Sequence, residues 1–324
     1  MLKTPKFWLE KNLISVALFP LSLIYFLIFF IIKIFSKPQK ISKPIICVGN
    51  LIAGGSGKTP TAIALGKVIK EMKVSFAYLS RGYMNDGAEF LMLRKEDNNK
   101  ANQVGDEPMM LLETAATFVA KDRLFGAKMI ESMNKFQAIV LDDGMQNNRL
   151  KSDYNILVVD GKIGFGNGFM IPAGPMREPL CLGLKKADLV VLIGEASDEL
   201  NKILNNKKIV KAKIFATNSQ EFLGKKLIAF CGLAFPEKFF SLLKELGLEV
   251  LESYGFADHH NYKIHELEAL YQKAKEQNAV LIATKKDWVK FPKVFQEKIS
   301  YLDVELKFEN DDLLKKELKN ILKC

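Results

Sequence analysis

Residues 49–59 read GNLIAGGSGKT, a glycine-rich run ending in Gly-Lys-Thr. Gly54, Gly55 and Gly57 let backbone N–H groups come close to an anion, and Ser56 adds a hydroxyl. Lys58 brings a cation to the β- and γ-phosphate oxygens of a nucleotide, and Thr59 offers its hydroxyl to Mg2+. The general phosphate-loop spacing would place glycine at position 52, where this chain has Ile52. Such a loop needs an acidic group at the end of a neighbouring strand to hold the metal. The apolar run 138–141 leads straight into Asp142-Asp143-Gly144, so one of these two carboxylates is expected to serve Mg2+.

Other polar clusters sit in Gly/Pro contexts: Ser80-Arg81-Gly82-Tyr83, Gly105-Asp106-Glu107-Pro108, Asp122-Arg123, Gln146 directly after DDGM, and Arg177 within 172–179 (PAGPMREP). Arginine is scarce, five of 47 basic residues, yet Arg81, Arg123 and Arg177 all fall in these clusters. A planar guanidinium fork suits phosphate there better than lysine does. The three histidines, His259, His260 and His265, lie within seven residues. Their spacing does not bring three imidazoles to one helix face, so no metal site is expected among them. Thr284-Lys285-Lys286-Asp287, after the apolar run 280–283, imitates a guanine-reading element and gives a membrane-associated P-loop GTPase or ATPase switch as the alternative reading. Against it, the segment after Leu141 lacks the D-x-x-G of a switch.

Groups of this kind need strand ends to carry them. Apolar runs of strand length occur at 45–48, 74–79, 138–141, 155–159, 189–193, 227–230, 248–252, 280–283 and 301–304. Helical patterns lie at 60–72, 108–116, 124–133, 237–246 and 265–277. Continuous apolar strands alternating with helices predict parallel sheets covered on both faces: an α/β/α nucleotide domain of the P-loop type plus a smaller α/β/α domain. Composition shifts place an N-terminal membrane-anchoring helix with basic flanks at 1–43, the P-loop domain at 44–220 and the smaller domain at 221–324.

The chain has 324 residues and a net charge of +10, which taken alone would suggest nucleic acid. Residues 1–43, however, hold seven lysines against the single Glu10, leaving +4 on the other 281 residues. These lysines, among them Lys3, flank the uncharged stretch 13–32 and favour anionic lipid headgroups, not nucleic acid. Twenty uncharged residues make a helix of about 30 Å, the thickness of a bilayer core. The four lysines that follow would keep the rest of the chain on the cytoplasmic side if the helix spans. It would equally accommodate Trp8, Pro20 and Tyr25 by lying in the interface. Cys47, Cys181, Cys231 and Cys324 are far apart and support neither a disulfide framework nor a zinc site.

Taken in order with Phe256-Ala257-Asp258-His259-His260, these motifs resemble the tetraacyldisaccharide 4′-kinase family of lipid A biosynthesis, from the N-terminal anchor to about Lys290. That family's loop is itself a GGxGKT variant preceded by GN. The resemblance implies two cofactors, ATP and Mg2+, and transfer of the γ-phosphoryl group to the 4′-hydroxyl of tetraacyldisaccharide 1-phosphate to give lipid IVA. It implies an active site in a cleft between the two domains, at the inner membrane on the cytoplasmic face. The partners expected are this lipid and the bilayer, with the chain acting as a monomer. The family's GDEP and Asp-His motifs fall on Asp106 and Asp258-His259. Asp106 is expected to be the base and His259 to polarise or relay for it. Lys58, Arg123 and Arg177 would neutralise charge on the transferring group or the 1-phosphate. Gln146 is expected near nucleotide or lipid, although Met145 and Asn147 replace the aromatic residue and histidine usual beside it.

Overall fold

A computed structural model describes residues 5–82, 89–94 and 104–323. Lys3, Tyr83 and Cys324 lie outside the described residues. The chain forms two compact units, Pro5–Ile214 with the C-terminal segment from Leu306 onward, and Phe215–Glu305. In chain order the strands are β1 (Ile45–Gly49), β2 (Phe76–Ser80), β3 (Phe90–Met92), β4 (Thr117–Ala120), β5 (Ala138–Asp142), β6 (Tyr154–Asp160), β7 (Leu189–Ile193), β8 (Ile209–Ala216), β9 (Lys226–Cys231), β10 (Glu249–Gly255), β11 (Val280–Thr284), β12 (Ser300–Leu302) and β13 (Val304–Phe308).

The larger unit is built on a nine-stranded sheet in the order β13-β8-β7-β6-β1-β5-β2-β4-β3. β1 runs parallel to both β5 and β6, whereas β3 is antiparallel to its neighbour β4, and β13 to β8, where the Glu309 N–H donates to the Lys211 carbonyl and the Thr217 N–H to the Asp303 carbonyl. Alternate residues of each strand feed opposite faces, which is why these strands read as unbroken apolar runs. Ile45 and Cys47 join Leu79, Leu141 and the helix Arg123–Ser132 on one face. Ile46 and Val48 join Tyr78, Val140 and the helix Lys58–Glu71 on the other. The β1/β5 register pairs Val48 with Asp142, so the acidic strand end lies beside the start of the glycine loop.

The C-terminal segment departs from the expected division. Asp303 separates β12 in the small sheet from β13 in the large one, where a single strand 301–304 was expected. The helix Asp312–Leu322 then buries Leu314 and Leu318 in the larger unit, and its Glu317 accepts from Tyr154 Oη at 3.1 Å and pairs with Lys208 at 2.8 Å. Residues 306–323 therefore belong with the first unit, because their apolar stripe is matched by the core around β6 and β8 and not by the smaller sheet. The short strands β3 and β4 and the eight-residue β8 also appear where no strand was expected.

The second unit carries a parallel four-stranded sheet, β10-β9-β11-β12. Phe239, Phe240 and Leu243 of the helix Pro236–Glu245 pack on one face, and Leu267 and Leu270 of Ile264–Glu276 on the other.

The 23-residue helix Leu13–Phe35 is long and apolar enough to cross a membrane. Asn12 and Ser15 close a reciprocal cap at its N-terminus, each side chain accepting from the other's backbone N–H at 3.0 and 2.9 Å. Its burial is inverted relative to a soluble helix. Ser15 and Ser22 are buried, whereas Leu13, Ile24, Leu27, Ile28 and Phe35 are exposed. A helix that turns its hydroxyls to the protein and its hydrocarbon outward is suited to a lipid environment.

Candidate active site

β1 ends at Gly49 and the next helix begins at Lys58, so the loop hands its backbone N–H groups to a helix N-terminus. Gly57 holds the turn in a left-handed conformation (φ 86°), where a Cβ would also meet Ile193 Cδ1 at 2.5 Å. At Gly55, by contrast, a Cβ would meet no atom within 4 Å, which leaves that side of the loop open. Asn50, fully buried, braces the loop by donating from Nδ2 to Ser56 Oγ at 2.7 Å.

Asp142, at the end of β5, is 2% exposed. Its Oδ2 accepts from Thr59 Oγ1 at 3.3 Å, while Oδ1 is buried with no hydrogen-bond partner among the described residues. Burial, then the charges of Glu107 and Asp143, push its carboxyl up to about 8, against the pull of Lys58 and the Thr59 hydroxyl. An orphaned carboxylate oxygen beside a threonine hydroxyl is a donor set suited to a hard divalent cation.

Asp143 behaves differently although it is adjacent. Its backbone is left-handed (φ 54°), an uncommon conformation for a non-glycine residue. Both carboxylate oxygens accept from Arg177 Nη1, at 2.8 and 3.1 Å, and Lys58 Nζ stands 3.9 Å away. Burial pushes the Asp143 carboxyl up, but Lys58 and Arg177 more than offset this and hold it below the usual range. Arg123 donates from Nη2 to the Asp143 carbonyl at 2.7 Å, leaving its buried Nε without a partner among the described residues.

Three expected cations thus gather on Asp143, next in sequence to Asp142 and its contact with Thr59. Gln146 lies beside them, but its Nε2 is committed to the Asn50 carbonyl at 2.9 Å and to Glu178 Oε1 at 3.0 Å. Glu178, fully buried, also pairs with Lys186 at 2.6 Å. Asn50, Glu178 and Lys186 were not singled out from the sequence. The first two adjoin the glycine loop and Arg177, and that adjacency was the available signal. Asp106 is buried in the first turn of the helix Asp106–Leu112, whose Glu107 contributes to raising Asp142. A cleft of about 600 Å3 is lined by Arg81, Lys121, Arg123, Asn147 and Arg149, with Glu89, Asp122 and Phe125. Asn147 Nδ2, like Arg123 Nε, is a buried donor with no partner among the described residues, so this basic cleft suits an anion.

In the second unit His259 also adopts a left-handed backbone (φ 55°), and its N–H donates to Asp258 Oδ1 at 3.1 Å. Lys286 Nζ lies 3.3 Å from both Asp258 Oδ1 and His259 Nε2. Lys286 was noticed only as part of an apparent guanine-reading element. That element fails structurally because Asp287 is fully buried. It accepts from the Gly232 N–H at 3.0 Å, from Thr284 Oγ1 at 2.6 Å and from Lys290 at 3.0 Å. A carboxylate tied into its own fold cannot read a base, so the switch reading is withdrawn. His260 stacks on Phe256 and pairs with Glu266, and no metal cluster of His, Cys, Asp or Glu occurs among the described residues.

Known proteins resemble this chain along nearly its whole length. A curated tetraacyldisaccharide 4′-kinase of Rickettsia canadensis (strain McKiel) is 37% identical over 317 residues, spanning 97% of this chain and 96% of its own length. One from Brucella suis is 36% identical over 324 residues, covering 96% of this chain and 93% of the relative. The crystal structure of LpxK from Aquifex aeolicus in complex with ATP superposes with a TM-score of 0.76 at 29% identity, covering 96% of this chain and all of that one. The family model for tetraacyldisaccharide-1-P 4′-kinase matches residues 14–323. With glycine loop, acidic strand end and Asp-His segment all inside that unbroken match, the chain belongs to the tetraacyldisaccharide-1-P 4′-kinase family.

Proposed function

We propose that the protein, as a monomer held by its first helix at the cytoplasmic face of the inner membrane, transfers the γ-phosphoryl group of ATP to the 4′-hydroxyl of tetraacyldisaccharide 1-phosphate. The observation that carries this reading is the phosphate loop with Lys58 and Thr59 set against an orphaned Asp142 oxygen and cations on Asp143, in the unit that carries the outward-apolar helix.

The loop N–H groups, Ser56 and Lys58 bind the nucleotide phosphates and orient the γ-phosphorus for in-line attack. Thr59 and Asp142 would hold Mg2+, which supplies charge neutralisation on the phosphate oxygens when bound. Arg177 and Arg123, fixed on Asp143, face the charge that spreads over the transferring group. The basic cleft takes an anionic part of the acceptor, such as its 1-phosphate. Asp106 accepts the 4′-hydroxyl proton as the new O–P bond forms and the bond to the β-phosphate oxygen breaks, releasing ADP. His259, in contact with Asp258 and Lys286, polarises or relays for that base.

The roles of Asp106 and His259 are tested by kcat of Asp106→Ala and His259→Ala at saturating ATP and lipid. Losses of at least about 100-fold are expected of groups in proton transfer. Near wild-type turnover in either variant removes that residue from the mechanism.

A further inference from the structure

The phosphate loop is held from outside by a second segment, residues 170–177. Ile52 and Met176 form an antiparallel bridge, the Ala53 N–H donates to the Pro175 carbonyl and the Arg177 N–H to the Leu51 carbonyl, both at 2.8 Å. The far side of this segment is held by the N-terminal helix. Ser22 Oγ donates to the Met170 carbonyl at 2.7 Å and accepts from the Ala173 N–H at 3.1 Å, and Tyr25 Oη donates to the Arg177 carbonyl at 3.2 Å. Phe19 packs on Phe169 at 5.2 Å, and just before the helix Trp8 Nε1 donates to the Pro172 carbonyl at 3.0 Å. Arg177 is therefore fixed at three points: its N–H by the phosphate loop, its carbonyl by Tyr25 and its guanidinium by Asp143.

A serine in a helix ordinarily turns its hydroxyl back onto its own preceding turn. Ser22 and Tyr25 spend theirs on residues 170–177 instead, while Leu21, Leu23 and Ile24 between and beside them are exposed. A helix serving only as an anchor would need no such polar fit to the body that carries the phosphate loop.

We infer that Ser22 and Tyr25 are positioning residues, through which the membrane helix holds the phosphate loop and Arg177 in their working places and so sets nucleotide affinity as well as membrane attachment. This rests on the reading of the loop as the ATP site. Displacing the helix then loosens residues 170–177, and with them the loop backbone that receives the phosphates.

The test uses full-length protein in detergent micelles, comparing wild type, the double variant Ser22→Ala/Tyr25→Phe, and Ile24→Leu on the exposed face as control. Equilibrium binding of trinitrophenyl-ATP, KM for ATP, KM for the lipid, kcat and retention in the membrane fraction are measured. Three neutral hydrogen bonds are lost, so nucleotide binding about five- to tenfold weaker is expected, with KM for ATP rising in parallel. The lipid KM, membrane retention and the Ile24→Leu protein should stay at wild-type values. Should the double variant not fold, Tyr25→Phe alone is expected to weaken nucleotide binding about two- to threefold. Binding equal to wild type in a folded variant, or an equal loss in lipid KM and membrane retention, would overturn the inference. If wild type itself binds no nucleotide, it is the reading of the loop that fails.

Discussion

Asp142 stands where stability and function pull in opposite directions, and Asp142→Asn separates them. Its carboxyl has an ordinary value of 3.8 and is pushed up to about 8 in the fold, first by burial and then by Glu107 and Asp143. A carboxyl raised on folding contributes fully to stability below its unfolded value, and that contribution is lost as pH rises toward the folded one. At pH 7 the loss is bounded by about 1.4 kcal/mol for each of roughly three pH units, or about 4 kcal/mol, and water entering the open site reduces it to about 2–4. Asparagine has the same shape and no charge, so it escapes this loss. In EDTA and detergent, urea unfolding of the D142N protein should show a gain of about 2–4 kcal/mol over wild type at pH 7.5, shrinking to about 1 at pH 5. Adding Mg2+ with ATP should stabilise wild type more than the variant, which keeps the loop contacts to the phosphates but lacks the carboxylate for the metal, and phosphoryl transfer by the variant should be lost. A metal-free D142N protein less stable than wild type at pH 7.5 would refute this reasoning and make Asp142 an ordinary structural carboxylate.

Other expectations concern single residues. Arg177→Lys keeps the charge, and one ammonium could still meet both Asp143 oxygens, but it has no second nitrogen to turn toward phosphate, so kcat should fall at least about tenfold; wild-type kcat would exclude Arg177 from charge stabilisation. Asp287→Ala strands the Gly232 N–H and takes the carboxylate from Lys290, which keeps only neutral partners such as the His260 carbonyl, and should cost about 3–5 kcal/mol in urea unfolding. ATP should still be preferred to GTP, and a changed nucleotide preference would restore the guanine-reading role. Burial pushes the thiol of Cys47 up to about 12 and that of Cys231 up as well, whereas Cys181 is exposed. Iodoacetamide at pH 8 should therefore modify Cys181 and spare the other two, as read by peptide mass spectrometry, and rapid labelling of Cys47 would contradict the burial of β1.

Local chemistry made much of this legible in the sequence. A glycine run between an apolar strand and a helix, and two aspartates at a second strand end, are signals carried by neighbouring residues. The difference between Asp142 and Asp143 was not legible, because it depends on the β1/β5 register and on a left-handed turn at Asp143 that only the folded sheet imposes. Tyr25 was read only as a residue suited to an interfacial helix and Ser22 not at all, because their fit to residues 170–177 depends on contacts about 150 positions away in the chain. The C-terminal helix has a clear apolar stripe, yet nothing local says which sheet will cover it. Lys286 was hidden by a motif that matched in letters but whose Asp287 is buried in its own fold.

The central claim is tested most directly by incubating the purified full-length protein in micelles with ATP, Mg2+ and tetraacyldisaccharide 1-phosphate, and locating any added phosphate on the lipid by fragmentation mass spectrometry. We expect one phosphate added at the 4′ position, with ADP released in equal amount. A folded protein that binds ATP yet leaves the lipid unchanged, or places the phosphate elsewhere on it, would contradict the account.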